Sequence, residues 1–356
     1  MEKPASGTGV LTFHRCINYG SYWQARCLVE GLRSRGYPAV IVDHDSWRIR
    51  LAEWMCALRP VLPTPVPGTD YPLYALKLAK FVRTIASFQR SPRFDLDHPK
   101  VLDRFERVVV GSDEVWNLAH PWYGGCPLFF GVGIRARLVA YAASFGNYNA
   151  SNGLDPIWAD RLRAFDAISV RDQNSRDIIK NALGFEPELV LDPCLQFMPK
   201  PDGGWRGPVR PFVAVYGHNF SEAFGRAVRR WAESRGYLLL SLGYRNDWAN
   251  RQWITAGPHD FAHAMARAAA VATNFFHGCA FALRYRKPFV CETSPYRATK
   301  IQNLMAWVNG QKHLVPPTAP PAAYDACLSE ALDPNLLDRI ELLRRKSDVY
   351  LDLALG

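Results

Sequence analysis

Short apolar runs rich in β-branched residues alternate along the chain with segments in which apolar residues recur every three or four positions. The first run, VLTFH at Val10–His14, predicts a strand, and Ser21–Arg35 predicts a helix that ends at Gly36. Strands that alternate with helices indicate βαβ units and a mainly parallel sheet. Further strands are predicted at Ala39–Asp43, within Arg107–Trp116, and at Leu138–Gly146, Ala167–Val170 and Glu188–Asp192.

A segment rich in proline and glycine divides this alternation into two parts. Five prolines and three glycines occur from Pro193 to Pro211, a composition typical of a linker. The chain of 356 residues is long enough for two domains. We therefore expect an α/β protein with two Rossmann-like domains facing a cleft, at residues 1–195 and 209–320, and C-terminal helices at 321–356 that pack back on the N-terminal domain. Strands of the second domain are predicted at Phe212–Tyr216, Tyr237–Gly243, Val271–Thr273 and Lys287–Glu292.

The amino-acid composition indicates which classes of molecule the protein could bind. The formal net charge of +10 favours anionic partners, such as phosphorylated small molecules or the face of a membrane. Because the basic residues are spread out, with no Lys/Arg block or nucleic-acid module, we expect no nucleic-acid partner. No apolar run is long enough to cross a bilayer, Met1–Val10 contains no apolar leader segment, and the eight cysteines are scattered. These features predict a cytoplasmic protein with reduced thiols. Peripheral contact with a membrane and the oligomeric state stay open.

Polar loops follow four of the predicted strands, and the carboxyl ends of parallel strands are where α/β proteins bind ligands. The first loop, HRCINYGS at His14–Ser21, precedes a helix whose free N–H groups could hold an oxyanion. Asn18 and Ser21 are therefore candidate binding residues. The alternative is a plain turn between strand and helix in which Ser21 caps the helix.

The second and third loops carry charged side chains. In GSDEVWN at Gly111–Asn117, Asp113 could accept a proton from a sugar hydroxyl or cap the next turn, and Ser112 lies beside it. In SVRDQNS at Ser169–Ser175, Arg171 could fork onto a carboxylate or phosphate, or pair with a neighbouring acid. For both Asp113 and Arg171, a structural role and a functional role therefore stay open.

The fourth loop places a histidine between a strand and a helix. In FFHGCAFALRYRKPFV at Phe275–Val290, His277 and Gly278 lie at the turn into the helix. A ring at this point is near the positive end of the helix, where it could bond an anion or transfer a proton. The alternative is a core histidine whose ring is satisfied by its neighbours. His277 is our candidate catalytic group, with Gly278 as a binding residue beside it.

The sequence contains no convincing motif for a metal or a cofactor. His259 and His263 have the i, i+4 spacing of two metal ligands, but no third ligand is near them in the sequence, so we predict no metal site. GTGVLT at Gly7–Thr12 precedes a strand rather than following one, so it is not a dinucleotide fingerprint. We expect no cofactor.

Taken in order, the motifs resemble those of the polysaccharide pyruvyl transferase family. NYGSYWQARCLVEGL is similar to that family's NYGS-x-x-Q loop and helix, and VVVGSDEVWN to its GSDQVWN element. FFHGCAFALRYRKPFV is similar to its SFHG segment, and RATKIQNLM to the basic segment that follows. The resemblance covers roughly residues 8 to 310 and also includes YAASFG, ISVRDQNS and LVLDPCL.

The resemblance implies a GT-B-like fold and a transfer reaction. The enolpyruvyl group of phosphoenolpyruvate would pass to two hydroxyls of a sugar, in a polysaccharide or a lipid-linked precursor, as a cyclic ketal with release of phosphate. It further implies that His277 contacts the phosphate and donates a proton, that Arg171 clamps an anionic group, and that Asp113 acts on the acceptor side. Phosphoenolpyruvate and a glycan acceptor are then the partners.

Phe275 departs from the family pattern, in which an arginine or a serine stands two residues before the histidine. The resemblance then implies that Arg297 or Lys300, in the basic segment, meets the charge of the donor. Two other functions stay open. One is a GT-B glycosyltransferase that uses a nucleotide-sugar, although no signature for binding a nucleotide is visible. The other is a non-catalytic protein that kept the fold and binds an anion or a glycan.

Overall fold

The computed structural model describes residues 5–62, 65–151, 153–293 and 298–356. The chain divides into two compact units. The first unit contains the residues up to 52, residues 85–197 and residues 341–356, and the second contains residues 53–84 and 198–340. Each unit is therefore assembled from segments that are distant in sequence.

The first unit is built on a parallel sheet. Its strands are β1 (Ala5–Leu11), β2 (Ala39–Ile41), β3 (His44–Asp45), β4 (Phe94–Asp95), β5 (Phe105–Val110), β6 (Arg137–Ala143), β7 (Ala167–Val170) and β8 (Glu188–Leu189). The helices in this part of the chain are α1 (Tyr19–Ser34), α2 (Trp47–Leu58), α3 (Tyr71–Ala86), α4 (Pro156–Leu162), α5 (Gln173–Leu183) and α6 (Pro193–Gln196). The six-stranded sheet has the order β2-β1-β5-β6-β7-β8, with every neighbouring pair parallel, while β3 and β4 pair separately.

The second unit repeats this architecture. Its strands are β9 (Phe212–Tyr216), β10 (Leu238–Leu242), β11 (Arg251–Trp253), β12 (Ala270–Thr273), β13 (Phe289–Glu292) and β14 (Leu314–Val315). The helices that follow α6 along the chain are α7 (Glu222–Ser234), α8 (Pro258–Arg267), α9 (Phe276–Arg284), α10 (Ala298–Trp307), α11 (Pro321–Ser329) and α12 (Pro334–Leu355). The six strands pair in the order β11-β10-β9-β12-β13-β14 and all run parallel. Two parallel sheets with helices between their strands confirm the prediction of an α/β protein with two Rossmann-like domains.

Both faces of the first sheet are covered, as expected for parallel strands. Val108 and Val110 of β5 pack on one face with Trp116, and all three are 0% exposed. Val109 faces the other side, where residues of α1 and α12 cover it, including Leu351. The Tyr350 hydroxyl donates to the Ala140 carbonyl at 2.8 Å. From residue 341 onward, the last helix of the chain is thus part of the core of the first unit, whereas α11, which was predicted to pack on the N-terminal domain as well, belongs to the second unit.

Residues 53–84, which the sequence analysis placed in the N-terminal domain, group with the second unit. Arg245 binds both carboxylate oxygens of Asp70, at 2.5 and 2.7 Å, and Lys80 pairs with Asp260 at 2.7 Å. The Lys77 Nζ donates to the Gly243 carbonyl at 2.9 Å. These polar bonds attach α3 to the loops that follow β10 and to α8.

Replacing Lys77 with methionine is expected to remove a pH dependence from the stability of the protein. Burial lowers the pKa of Lys77 from 10.5 to about 7, and Nζ lies 4.4 Å from the centroid of the Tyr244 ring. Because the unfolded lysine holds its proton up to pH 10.5, the wild type gains stability as the pH rises from 7 towards 10.5. The free energy of unfolding of the wild type, relative to that of Lys77→Met, should therefore rise by about 2 kcal/mol between pH 7 and pH 9. Urea unfolding of both proteins at the two pH values measures this change, and a difference between the two proteins that stays constant with pH would contradict the assignment.

Candidate functional site

The loop after β1 ends in a capped helix. Helix α1 begins at Tyr19, two residues earlier than predicted, and its N-cap is Asn18 rather than Ser21. The Asn18 side chain accepts hydrogen bonds from the N–H groups of Gly20 and Ser21, at 2.8 and 3.3 Å. Two of the N–H groups that the sequence analysis offered to an oxyanion are therefore bonded to Asn18. The role of Asn18 in the structure is to start α1.

The loop after β5 turns sharply beside β6. A side chain at Gly111 would place its Cβ 2.3 Å from the Tyr141 carbonyl oxygen, so only glycine fits there. Ser112 is 0% exposed, and its hydroxyl donates to the Gln24 side chain at 2.7 Å. The hydroxyl of Ser112, which was predicted as a binding residue, is therefore buried and bonded inside the first unit. The turn brings Asp113 to the end of the sheet with φ at +79°.

Three donors among the described residues bind the Asp113 carboxylate. One oxygen accepts from the Glu114 N–H at 2.9 Å and from Arg171 Nη2 at 3.1 Å, and the other accepts from the Ser21 hydroxyl at 2.8 Å. Arg171 also donates through Nη1 to Asp192 at 2.8 Å. We call Ser21, Asp113, Arg171 and Asp192 the Arg171 network. It joins the first turn of α1 to the loops that follow β5, β7 and β8.

Arg171 is paired with acids of its own unit, which is the structural alternative given in the sequence analysis. Its side chain is 4% exposed, against 12% for Asp113 and 1% for Asp192. Burial acts to lower the pKa of Arg171, but the carboxylates of Asp113 and Asp192 outweigh it and raise the pKa above its ordinary value. Nη1 and Nη2 of Arg171 each donate a hydrogen bond to a carboxylate of the first unit. This arrangement fits a role in orienting Asp113 better than a role in binding an anionic substrate.

Sequence reasoning missed Asp192 as a member of this network. Its second oxygen accepts from the Cys194 N–H at 2.9 Å, so Asp192 also caps α6. The predicted strand Glu188–Asp192 ends at this residue, which marks Asp192 as an acid at a strand end but does not identify Arg171 as its partner. Gln24 was missed as well: it donates to Thr12 at 2.9 Å, and the Thr12 hydroxyl donates to the Ser112 carbonyl at 2.9 Å. These bonds fix the Ser112–Asp113 turn against β1 and α1.

In the second unit, His277 lies in the first turn of α9. The helix begins at Phe276, and its N-cap residue, Phe275, makes no side-chain capping bond. The ring of His277 is partly buried and lies 5.1 Å from that of Phe276, nearly perpendicular to it. A Cβ at Gly278 would lie 2.0 Å from the Thr273 hydroxyl, so glycine is required for α9 to approach the end of β12. The ring therefore sits at the positive end of a helix dipole.

Asn274 is a second polar group at this strand end, and the sequence analysis did not single it out. It is 1% exposed, and its Nδ2 donates to the His218 carbonyl at 2.8 Å. Its Oδ1 is buried and has no hydrogen-bond partner among the described residues. A Cβ at Gly217 would lie 2.2 Å from this oxygen, so glycine allows the close approach. A buried acceptor without a hydrogen bond destabilises the folded protein unless a ligand or water binds it. The end of β12 is therefore a candidate polar binding site.

The predicted site residues are distributed between the units. Lys300 lies in α10 and is partly buried, in the same unit as His277. Arg297 lies outside the described residues. Asn18, Ser21, Ser112, Asp113 and Arg171 belong to the first unit, and His277, Gly278 and Lys300 belong to the second.

The sequence matches the model of one protein family over most of its length. Residues 18–294 match the family described as polysaccharide pyruvyl transferase. The matched range contains every described candidate residue except Lys300. No curated protein matches the chain. No helix among the described residues combines the length and the apolarity needed to cross a membrane.

Solved structures resemble the chain at low sequence identity. The glycotransferase of kitacinnamycin is 12% identical, with a TM-score of 0.49 over 99% of this chain and 98% of that chain. The S. aureus MnaA–UDP co-structure is 11% identical, with a TM-score of 0.46 over 94% and 90%. The glycosyltransferase SnogD from Streptomyces nogalater is 12% identical, with a TM-score of 0.45 over 99% and 98%.

Proposed function

The chain belongs to the polysaccharide pyruvyl transferase family, and on that premise we propose that it transfers the enolpyruvyl group of phosphoenolpyruvate to a glycan. The acceptor is a sugar of a polysaccharide or of a lipid-linked precursor, and the product is a pyruvate ketal. The observation that carries the proposal is the family match over residues 18–294, which spans the His277 segment and the whole Arg171 network. Phosphoenolpyruvate is an intermediate of cytoplasmic metabolism, so the proposal places the reaction in the cytoplasm.

The proposed reaction needs one acid and one base. Protonation of the methylene carbon of the donor forms the methyl group and leaves a cation at the neighbouring carbon. One sugar hydroxyl adds to that carbon, the bond to the phosphate oxygen breaks, and the second hydroxyl adds in its place. Of the two protons that the hydroxyls lose, one balances the proton given to the methylene and the other leaves with phosphate. An acid near the donor and a base near the acceptor therefore suffice.

We assign the acid to His277. Its ring lies in the first turn of α9, where the helix dipole favours negative charge, and a phosphate or carboxylate is stabilised at such a position. The negative charge of a bound phosphate would offset the helix dipole, which by itself disfavours a protonated ring, and the imidazole would then give its proton to the methylene carbon. Gly278 and Lys300, with Arg297, complete the set of residues that we assign to the anionic donor.

We assign the base to Asp113. Its carboxylate is 12% exposed and is oriented by the Arg171 guanidinium on one oxygen and the Ser21 hydroxyl on the other. Preorganisation of this kind keeps a base in the geometry that a hydroxyl must meet. Arg171 is then a positioning residue for Asp113, supported on its other side by Asp192.

Ligand-induced stabilisation tests the donor. Phosphoenolpyruvate should raise the melting temperature, because a ligand that binds only the folded state stabilises it by an amount that grows with the logarithm of its concentration above Kd. Nucleotide-sugars such as UDP-N-acetylglucosamine should not, and His277→Ala should lose most of the response to phosphoenolpyruvate. Stabilisation by a nucleotide-sugar alone would instead identify a glycosyltransferase. No response to either ligand would contradict the proposed donor and favour a non-catalytic protein.

A further inference from the structure

Helix α2 presents an apolar stripe to solvent. Trp47, Leu51 and Met55 are 63%, 51% and 48% exposed. They are spaced four residues apart, so their side chains lie along one side of the helix. All three residues belong to one continuous helix, Trp47–Leu58. Single exposed apolar residues are ordinary on protein surfaces, but three large ones in a row on one helix mark an interaction surface.

The charges around this stripe are basic. Arg48 is exposed and its guanidinium lies 5.6 Å from the centroid of the Trp47 ring. Arg59 follows the helix by one residue and is also exposed. The acidic residue of α2, Glu53, is buried and points away from this side. We call Trp47, Arg48, Leu51 and Met55 the α2 face. It combines tryptophan and aliphatic side chains with positive charge.

We propose that the α2 face binds the surface of an anionic lipid bilayer. Tryptophan suits the boundary between head groups and acyl chains, where its apolar ring and its N–H are both accommodated. Arginine suits the negative potential of anionic head groups. The formal net charge of +10 adds attraction at longer range. The inference does not depend on pyruvyl transfer, since lipid binding is measured without donor or acceptor.

Helix α12 provides a contrast within the same chain. Leu353 is 76% exposed and is preceded by Asp352, whose carboxylate bonds Arg35. Asp348, one turn earlier, also pairs with Arg35, at 2.5 Å. Because acidic residues flank it, an exposed leucine at this position lacks the positive charge found on the α2 face. Leu353→Ser is therefore the matched control for a substitution on α2.

The test is sedimentation of the full chain with lipid vesicles. The wild type should bind vesicles that contain phosphatidylglycerol and should bind pure phosphatidylcholine vesicles at least tenfold more weakly. The double variant Trp47→Ser, Leu51→Ser should lose at least tenfold in binding to the anionic vesicles, because the apolar contact is removed. Leu353→Ser should bind like the wild type. All three proteins should keep the same melting temperature, because the substituted side chains are exposed.

Several results would overturn the inference. One is a wild type that does not bind anionic vesicles at low salt. Another is a double variant that binds them as well as the wild type, or a Leu353→Ser variant that loses binding to the same degree. Light scattering in the absence of lipid tests whether the α2 face instead binds a second copy of the chain. A wild-type dimer that the double variant converts to a monomer would assign the α2 face to a second copy of the chain instead.

Discussion

Replacement of Arg171 by methionine is expected to destabilise the protein by about 3–5 kcal/mol. The guanidinium is the shared partner of Asp113 and Asp192, and all three side chains are buried. Methionine fills a similar volume but leaves two buried carboxylates without the positive charge that balances them. The free energy of unfolding, measured by urea denaturation, reports the loss.

Arg163→Met is the matched control, because Arg163 also pairs with an acid of the first unit, Asp160, but at the surface. Those side chains are 54% and 71% exposed. An exposed pair of this kind contributes less than about 1 kcal/mol. A loss at Arg171 no larger than the loss at Arg163 would mean that water reaches the network, and Arg171 could then be a ligand for an anionic substrate rather than a support for Asp113.

Replacement of His277 by alanine is expected to reduce phosphate release from phosphoenolpyruvate at least about 100-fold, the usual contribution of a general acid. The ring is only partly buried, so the melting temperature should stay within a few degrees of the wild type. Phosphate release with an acceptor glycan and thermal unfolding are measured on the same preparation. Loss of phosphate release without loss of stability would identify His277 as catalytic, whereas loss of stability would identify it as a core residue.

His263→Ala controls for the loss of an imidazole elsewhere in the second unit. His263 lies on α8 and its Nε2 is 3.0 Å from the Gly203 carbonyl oxygen, in the segment before β9. Its removal should leave phosphate release nearly unchanged. If His277→Ala collapsed the melting temperature instead, the ring would be a core residue, as the alternative in the sequence analysis held. If it kept full activity, another group would have to supply the proton.

The fold was largely predictable because its signals are local. Apolar runs such as Phe212–Tyr216 and the helical segments between them determined the class, and both parallel sheets contain the predicted strands. The start of α1 was wrong by two residues, since Asn18 and Ser21 are both good capping residues and local sequence does not decide between them. In the structure Asn18 caps the helix and Ser21 is free to bond Asp113.

The partners of the site residues were not predictable, because they are set by tertiary structure. Arg171 bonds Asp113 and Asp192, which are 58 and 21 residues away in sequence. Strand order brings the ends of β5, β7 and β8 into one region, and strand order cannot be read from periodicity. The same holds for residues 53–84, where Asp70 bonds Arg245 across 175 residues. Motifs located the strand ends, while the roles of the side chains depended on their neighbours in space.

Formation of a pyruvate ketal on a glycan is measured by mass spectrometry of the glycan. Candidate glycans, free and lipid-linked, are incubated with phosphoenolpyruvate and either the wild type or His277→Ala. We expect the wild type to add the mass of a pyruvyl ketal to at least one glycan, with one phosphate released for each ketal formed, and the variant to add almost none. Phosphate released by the wild type without any change in glycan mass, or a hexose transferred from a nucleotide-sugar in the same assay, would contradict pyruvyl transfer.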